Sequence, residues 1–532
     1  MASFLRRFIP PRDAGQAYES LPLTNDGVPA TEEFKPEASP VPPRFQWLET
    51  ARPKARWFWA LAPFCIARPL GKTDRTLPTT TSTTYLNGIR GLACWIVLNH
   101  HMTMDYYNPW IFKAYGAEDP DENQYFFQLP IVRVVHTGKG MVCLFFALSG
   151  FVLGYSSLRK INRYHPEKVA DDLLTGFCSA LLRRGIRLFT PMFVLAFITS
   201  ILTYYMPWGD MDHDAPSLIA QLHKFYLSCV DVMNPFIWES HKMPKHFPHA
   251  WTLALEYRLS LVLFLVLMAT CRLTTIPRKV VIFSVAVWSV YCDRRWDVMG
   301  FMGGLLVAEL RFAPLSSDFG RLIRRPDFKP NRWLGVVAGS MAVVLGLIFC
   351  SWPENPESMK IQPYHFFWKL APKSWQGRTE TELSTAFTWY FGSIGSIVLL
   401  WGLEQLPLLQ RALSCAPLRY LGEISYAFYL VHWIVRQNVG YPLFRYLTKA
   451  QEWSKTPSFV VAYVLTLVLT VLIGEYFWRA IDEKCVRLAR FVVTDMLGVG
   501  PRLKSDNLME RRPAVRMEEL QAEEAAPVLR LD

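Results

Sequence analysis

The sequence lacks the patterns that mark metalloproteins, disulfide-rich proteins and nucleic-acid-binding proteins. Its 10 cysteines among 532 residues stand singly, and none forms a Cys-x-x-Cys pair, which argues against a metal or a disulfide framework. Neither zinc-finger spacing nor interleaved basic and aromatic residues accompany the net charge of +12. We therefore expect no nucleic-acid partner, no metal and no bound cofactor. An Asp-His-Asp run at 212–214 is the one local exception, and a solvated loop of this kind is a weak metal site.

Long apolar blocks are what the sequence does contain. Hydrophobic residues make up 51% of the chain and come in blocks of roughly 15–25, enough to cross a bilayer as helices. We predict an all-α, polytopic membrane helix bundle in one domain over residues 85–480. A cytosolic arm with a short interfacial segment (1–84) would precede it, and a cytosolic tail (481–532) would follow. The predicted spans number about ten: 88–106, 140–158, 188–206, 250–271, 280–292, 297–310, 333–352, 386–404, 420–443 and 458–478.

The charge of the loops predicts the orientation of these spans. The loops after the second span and before the seventh are rich in Arg and Lys, which places them in the cytosol. Loops 105–139 and 207–249 instead carry many Asp, Glu and His residues. Both termini are then expected in the cytosol. The polar, proline-rich start of the chain does not resemble a signal peptide, so we expect the spans themselves to direct insertion.

The first predicted span carries two polar side chains on one face. Arg90 and His101 are eleven residues apart, which is about three helical turns and about 16 Å along the axis. Arg90 would lie near the cytosolic interface and His101 near mid-membrane, where a polar group is costly and usually functional. His100 points to another face and is the weaker candidate. Asp105, four residues after His101, is placed to hydrogen-bond it.

Five motifs in order resemble those of the acyltransferase 3 family of integral-membrane acyltransferases, with a fungal character. The resemblance runs from about residue 84 to about residue 480. The motifs are Tyr85-Leu-Asn-Gly-Ile-Arg-Gly-Leu-Ala93 with the Arg90-to-His101 spacing, Phe145-Phe-Ala-Leu-Ser-Gly-Phe-Val-Leu153, Arg184-Gly-Ile-Arg187, Trp251-Thr-Leu-Ala-Leu-Glu256, and Leu421-Gly-Glu-Ile-Ser-Tyr-Ala-Phe-Tyr-Leu-Val-His432.

The sequence departs from the family pattern at two places. Asn87 stands where the family usually has Asp, so a carboxylate role there is lost or has moved. Ile481-Asp-Glu-Lys-Cys485 stands where a closing Glu-x-Pro is common. Neither departure removes Arg90 or His101.

The resemblance implies transfer of an acyl group from cytosolic acyl-CoA to a hydroxyl of an acceptor. His101 would be the base or a transient acyl carrier, although a lone histidine in a span can also be an interhelical hydrogen-bonding group. Arg90 would contact the donor or orient His101, or it anchors the helix at the interface. Arg184 and Arg187 share a helix face and would bind the CoA phosphates, unless they are ordinary positive-inside charge.

Two further groups belong to the predicted site. Glu256 is expected at the end of its span opposite the cytosol, where it would bind the acceptor or orient His101; the alternative is a pair with Arg258 or a loop histidine. Ser425, Tyr429 and His432 follow an i, i+4, i+7 pattern, with Arg436 on nearly the same face. This polar stripe must face the bundle interior, as an acceptor path or as hydrogen bonds between helices.

The sequence therefore predicts a membrane O-acyltransferase whose acceptor is a glycan, a lipid or a secondary metabolite. A multi-span transporter and a non-catalytic acyl-binding membrane protein are the alternatives, and missing inverted repeats argue against the first. The acceptor, the acyl chain, the organelle and the oligomeric state do not follow from the sequence.

Overall fold

The structure, a computed structural model, describes residues 64, 77–107, 110–118, 123–163, 166–205, 215–236, 247–323, 331–369 and 380–499. Within these ranges the regular structure is helical and contains no strand, which confirms the all-α prediction. Residues 1–76 of the predicted N-terminal arm, apart from Phe64, lie outside them, and so do the run at 212–214 and residues 500–532 of the tail.

The helices follow the predicted spans closely. Nine predicted spans each coincide with one helix, and the ninth in order, 420–443, is divided. The helices are α1 (Thr84–Tyr107), α2 (Gly138–Arg163), α3 (Pro166–Tyr205), α4 (Leu218–Met233), α5 (Trp251–Thr270), α6 (Thr275–Asp293), α7 (Trp296–Phe312), α8 (Leu315–Leu322), α9 (Arg332–Cys350), α10 (Tyr364–Trp368), α11 (Glu380–Glu404), α12 (Pro407–Leu413), α13 (Ala416–Glu423), α14 (Ser425–Val435), α15 (Tyr441–Arg445), α16 (Lys455–Phe477) and α17 (Glu483–Arg490).

Six helical segments of the described chain are long and apolar enough to cross a membrane. They are Gly138–Arg163, Leu173–Tyr205, Pro248–Thr270, Arg332–Cys350, Thr385–Glu404 and Lys455–Met496. The protein is thus a multi-helix membrane protein. Ten spans and cytosolic termini remain predictions. The helical chain also continues beyond 480, because π-helical turns at Trp478–Asp482 and Phe491–Met496 extend α16 and α17 to Met496.

Polar contacts between helices define two opposite ends of the bundle. The carboxylate of Glu404, the last residue of α11, accepts hydrogen bonds from Tyr85 at the start of α1 and from Arg311 at the end of α7 (Nη1–Oε2, 2.7 Å). This end of the bundle is called the Arg311 end. At the opposite end, where α1 finishes and α2 begins, the His100 imidazole bonds the His136 carbonyl at 3.0 Å. That end is called the His101 end.

Glycines let α2 and α7 cross in close contact. A Cβ atom at Gly150 would collide with the carbonyl oxygen of Phe301, and one at Gly304 would collide with that of Ala147. Small residues allow two membrane helices to approach closely and gain packing that lipid cannot supply. This contact fixes the position of Ser149, beside Gly150, which belongs to the candidate site.

Helices α1 and α14 carry Arg90, His101 and the polar stripe, and α16 packs against both. Helix α14 runs parallel to α1, since Ser425 contacts Arg90 and His432, seven residues later, contacts His101. Helix α16 runs antiparallel to α1, because the Tyr463 hydroxyl donates to Asn99 (2.5 Å) while Phe459, earlier in α16, packs on Tyr106.

Candidate active site

Three histidines from three segments lie side by side at the His101 end. The ring of His101, on α1, stacks on that of His432, on α14, with centroids 5.4 Å apart and 27° between the planes. His249, in the short turn Pro248–Ala250 before α5, lies 5.0 Å from His432. His432 and His249 are 1% and 5% exposed, whereas His101 is half-buried.

Backbone carbonyls fix the tautomers of two of these rings. Nδ1 of His432 lies 2.6 Å from the Tyr429 carbonyl, and Nε2 of His249 lies 3.2 Å from the Leu430 carbonyl. A carbonyl accepts, so each of these nitrogens carries the hydrogen. In the neutral rings, Nε2 of His432 and Nδ1 of His249 then have a lone pair. Within the described part of the chain these two nitrogens, and Nδ1 of His101, are buried without a hydrogen-bond partner.

Trp433 and Arg436 hold the His101 segment in place. The Trp433 ring meets His101 edge-on at 5.1 Å, and the Arg436 guanidinium lies over Trp433 at 4.8 Å. Nε of Arg436 donates to the backbone carbonyl of His101 at 2.8 Å. This turn of α1 is therefore fixed through its backbone.

The predicted polar stripe on α14 faces the interior, as expected. Ser425, Tyr429, His432 and Arg436 are 1%, 9%, 1% and 2% exposed. The Tyr429 hydroxyl donates to the His249 carbonyl (3.0 Å) and lies 2.7 Å from the Thr252 hydroxyl. The stripe thus joins α1, α14 and the beginning of α5, and His432 keeps one nitrogen without a protein partner in the described residues.

Arg90 lies at the other end of the stripe. Its Nη2 donates to the Ser425 hydroxyl at 2.9 Å. Asn87, which replaces the usual Asp, donates to Glu423 Oε1 at 3.2 Å, and the Glu423 carboxylate is within electrostatic range of Arg90. Asn87 is therefore bonded to a carboxyl group of the neighbouring helix α13.

Glu256 is not where the sequence placed it. Its Oε1 accepts from Arg184 Nη2 at 2.6 Å and from the Ser149 hydroxyl at 2.7 Å. The expectation that Arg184 and Glu256 lie at opposite ends of the membrane is therefore wrong, and so is the alternative pairing with Arg258. The reason is the length of α3: it begins at Pro166, so Arg184 lies near its middle, about 27 Å from its start.

Arg187 and Asp482 form the charged group next to this pair. The Asp482 carboxylate is within electrostatic range of both Arg187 and Arg90, and Arg187 in turn of Arg184. The Tyr426 hydroxyl lies among them and donates to the Leu188 carbonyl at 2.5 Å. The three predicted arginines thus lie together in one region of the bundle, which is nearer the Arg311 end than His101 is.

Two of these residues were missed by sequence reasoning. His249 fell in a region interpreted as a polar loop, and its only signal was its position two residues before the Trp251 motif. Asp482 was noticed as a departure from the family pattern and given no role. The Asp105 side chain lies outside the described residues. No group of three or more metal-ligating side chains suited to a metal ion occurs among the residues described.

A family model for an acyltransferase domain, that of acyltransferase 3, matches residues 83–475. The chain belongs to the acyltransferase 3 family. The match runs from the start of α1 to the last turn of α16, and Asp482 and α17 lie beyond it. It confirms the family to which the five motifs pointed, and the protein is an acyltransferase.

Similar proteins are fungal acyltransferases. The O-acetyltransferase PaAT-1 of Phomopsis amygdali is 26% identical, over 78% of this chain and 85% of its own length. Acyltransferase clz18 of Cochliobolus lunatus is 24% identical, over 76% of this chain and 95% of its own. Acyltransferase R4 of Phoma sp. (strain ATCC 20986 / MF5453) is 24% identical, with the same two shares. No solved structure gives a significant match.

Proposed function

We propose that this protein transfers an acyl group, acetyl or another short acyl group, from cytosolic acyl-CoA to a hydroxyl of a glycan, lipid or secondary-metabolite acceptor. The observation that carries the proposal is the His101 imidazole: half-buried, fixed through its backbone, and with a buried Nδ1 that no described protein group occupies. A structural histidine in a membrane helix would be satisfied by a neighbouring helix. The name of the relative PaAT-1 supports oxygen as the atom acylated.

In the proposed reaction, neutral His101 is the base. It accepts the proton of the acceptor hydroxyl as the oxygen attacks the thioester carbonyl. The C–S bond breaks as the C–O bond forms, and the imidazolium returns the proton to the CoA thiolate. The products are the ester and CoA-SH, so no other reactant is needed. Transient acylation of His101 is the competing route, and trapping a labelled acyl-enzyme distinguishes it.

The charged group near the Arg311 end would receive the donor. Arg187 and Arg90 are the guanidinium groups proposed to contact the phosphates or the thioester region, since arginine binds such groups bidentately. Arg184 is held by Glu256, so we propose that this pair positions the donor channel. We therefore propose that Glu256 acts on the donor side, and not on the acceptor side as the sequence predicted.

The proposed topology has ten spans, with both termini and the Arg311 end in the cytosol. Four predicted spans lie outside the set of six: 88–106 (α1), 280–292 (α6), 297–310 (α7) and 420–443. Helix α7 has 17 residues, and the span 420–443 is divided among several helical segments. Helix α1 carries Asn99, His100 and His101, a polarity that is expected where a helix lines a site inside the bundle. In this orientation acyl-CoA enters from the Arg-rich end, and the acceptor hydroxyl meets His101 from the other.

The test is CoA release by purified protein in nanodiscs, followed with a thiol reagent, for wild type and His101→Ala. We expect slow release from wild type without an acceptor, faster release with one, and a loss of about 100-fold or more in the variant. His223→Ala, an exposed histidine of α4, is the matched control. Equal turnover in wild type and His101→Ala would refute the role of His101. No turnover in wild type would favour the transporter or the non-catalytic acyl-binding protein.

A further inference from the structure

The three-histidine row holds more hydrogen-bond acceptors than one acyl transfer needs. His101 alone serves the reacting hydroxyl, yet His432 and His249 each present a nitrogen with a free lone pair beside it. Both side chains are more than nine-tenths buried. A buried acceptor without a donor costs about 1–3 kcal/mol, so such groups are normally matched by a partner.

The fixed tautomers decide what that partner is. Nδ1 of His432 and Nε2 of His249 already donate to backbone carbonyls, so the remaining nitrogens only accept. They suit a hydrogen-bond donor such as an O–H, and not an ether, a carbonyl or an anion. Because the His101 and His432 rings are stacked, such a group lies close to the reacting hydroxyl.

We propose that the acceptor carries a second hydroxyl within one or two carbons of the reacting one, and that His432 and His249 bind it. Nε2 of His432 receives its hydrogen, and Nδ1 of His249 extends the same subsite to a further donor. This inference rests on the proposed function, since it identifies the substrate class of that site as a diol or polyol segment. His432 and His249 then act as specificity-determining residues, and His101 remains the base.

Two hydrogen bonds from α14 hold His249 in this subsite. The Tyr429 hydroxyl donates to the backbone carbonyl of His249, and the Leu430 carbonyl accepts from the His249 ring. The turn Pro248–Ala250 is therefore bound to α14 at two points. Such an arrangement keeps the bare nitrogen of His249 in a fixed position relative to that of His432.

The test compares the binding of small diols with that of their monomethyl ethers, which keep one O–H and lose the second. Thermal shifts of the wild-type protein in nanodiscs are measured with trans-1,2-cyclohexanediol, 1,3-cyclohexanediol and the monomethyl ether of each. We expect at least one diol to bind about tenfold more tightly than its ether. Equal binding of diol and ether in both pairs, including no shift with any of the four, would overturn the proposal and assign the nitrogens to water.

Variants identify the residues responsible. His432→Phe and His249→Phe each keep an aromatic ring, and in each variant the diol and its ether should bind about equally tightly. His365→Phe is the control, because this histidine also bonds a backbone carbonyl (Met359, 3.3 Å) but lies outside the row. A preference that survives in both row variants would overturn the proposal. CoA release by the wild-type protein without acceptor is measured in parallel, so failure of the proposed function is seen separately from failure of diol recognition.

Discussion

The pair between Arg184 and Glu256 gives a quantitative prediction about donor binding. The two side chains are 17% and 24% exposed, and the Nη2–Oε1 distance is 2.6 Å. Exposed pairs contribute about 0.2–1 kcal/mol, whereas breaking a fully buried pair costs about 3–5 kcal/mol. A partly exposed pair falls between these limits, so we expect a coupling free energy of about 1–2 kcal/mol, or about 5–30-fold in kcat/KM for acyl-CoA.

The assay is a double-mutant cycle with Glu256→Gln, Arg184→Met and the double variant. Each single variant should lower kcat/KM for acyl-CoA, and the double variant should be little worse than the poorer single one. Glu357→Gln and Lys360→Met form the control pair, because that pair is also 2.6 Å apart but is 35% and 67% exposed. Additive effects, or a Glu256 variant that changes only the KM for the acceptor, would refute the assignment of Glu256 to the donor side.

Three further predictions concern the fold. Burial lowers the pKa of His136 to about 4, whereas a histidine in the unfolded chain has a pKa of about 6.5. Since the unfolded chain then binds the proton more readily, the free energy of unfolding should decrease as the pH falls from about 6.5 to about 4. The thermal midpoint should fall across this window, and it should fall less in His136→Gln. Glu309→Ala should cost about 3–5 kcal/mol, measured as a loss of folded protein on detergent extraction, because Arg278 would stay buried and unpaired. Gly150→Val should separate α2 from α7 at Phe301 and abolish a folded size-exclusion peak, whereas Gly176→Val, where a Cβ meets open space, should not.

The long apolar helices could be predicted from the sequence because length and apolarity suffice to place a membrane helix. The true start of α3 could not, since its first 20 residues mix polar and apolar side chains and so lack the apolarity that marks a membrane span. The break at Ile424, between α13 and α14, could not be predicted either, because neither flanking residue is a proline. The nearby Gly422 is no signal of a break, since its close contact with Asn87 already accounts for it.

Within the site, residues on one helix were predictable and residues brought together by packing were not. Helical periodicity placed Arg90 and His101 on one face, and the stripe from Ser425 to Arg436 toward the interior. The partner of Glu256 depends on the relative depth of two helices, which periodicity does not give. His249 was missed because it is held beside His432 by a hydrogen bond to the Leu430 carbonyl, and a sequence does not show a contact between distant segments.

The central claim is that His101 takes the proton of the acceptor hydroxyl. Its most direct test is transfer of a radiolabelled acyl group from acyl-CoA to a diol acceptor by His101→Ala, with and without added imidazole. The account predicts that the variant is inactive alone, that imidazole restores labelled ester in a concentration-dependent manner, and that His223→Ala behaves as wild type. Labelled ester formed by His101→Ala at the wild-type rate without imidazole would contradict it.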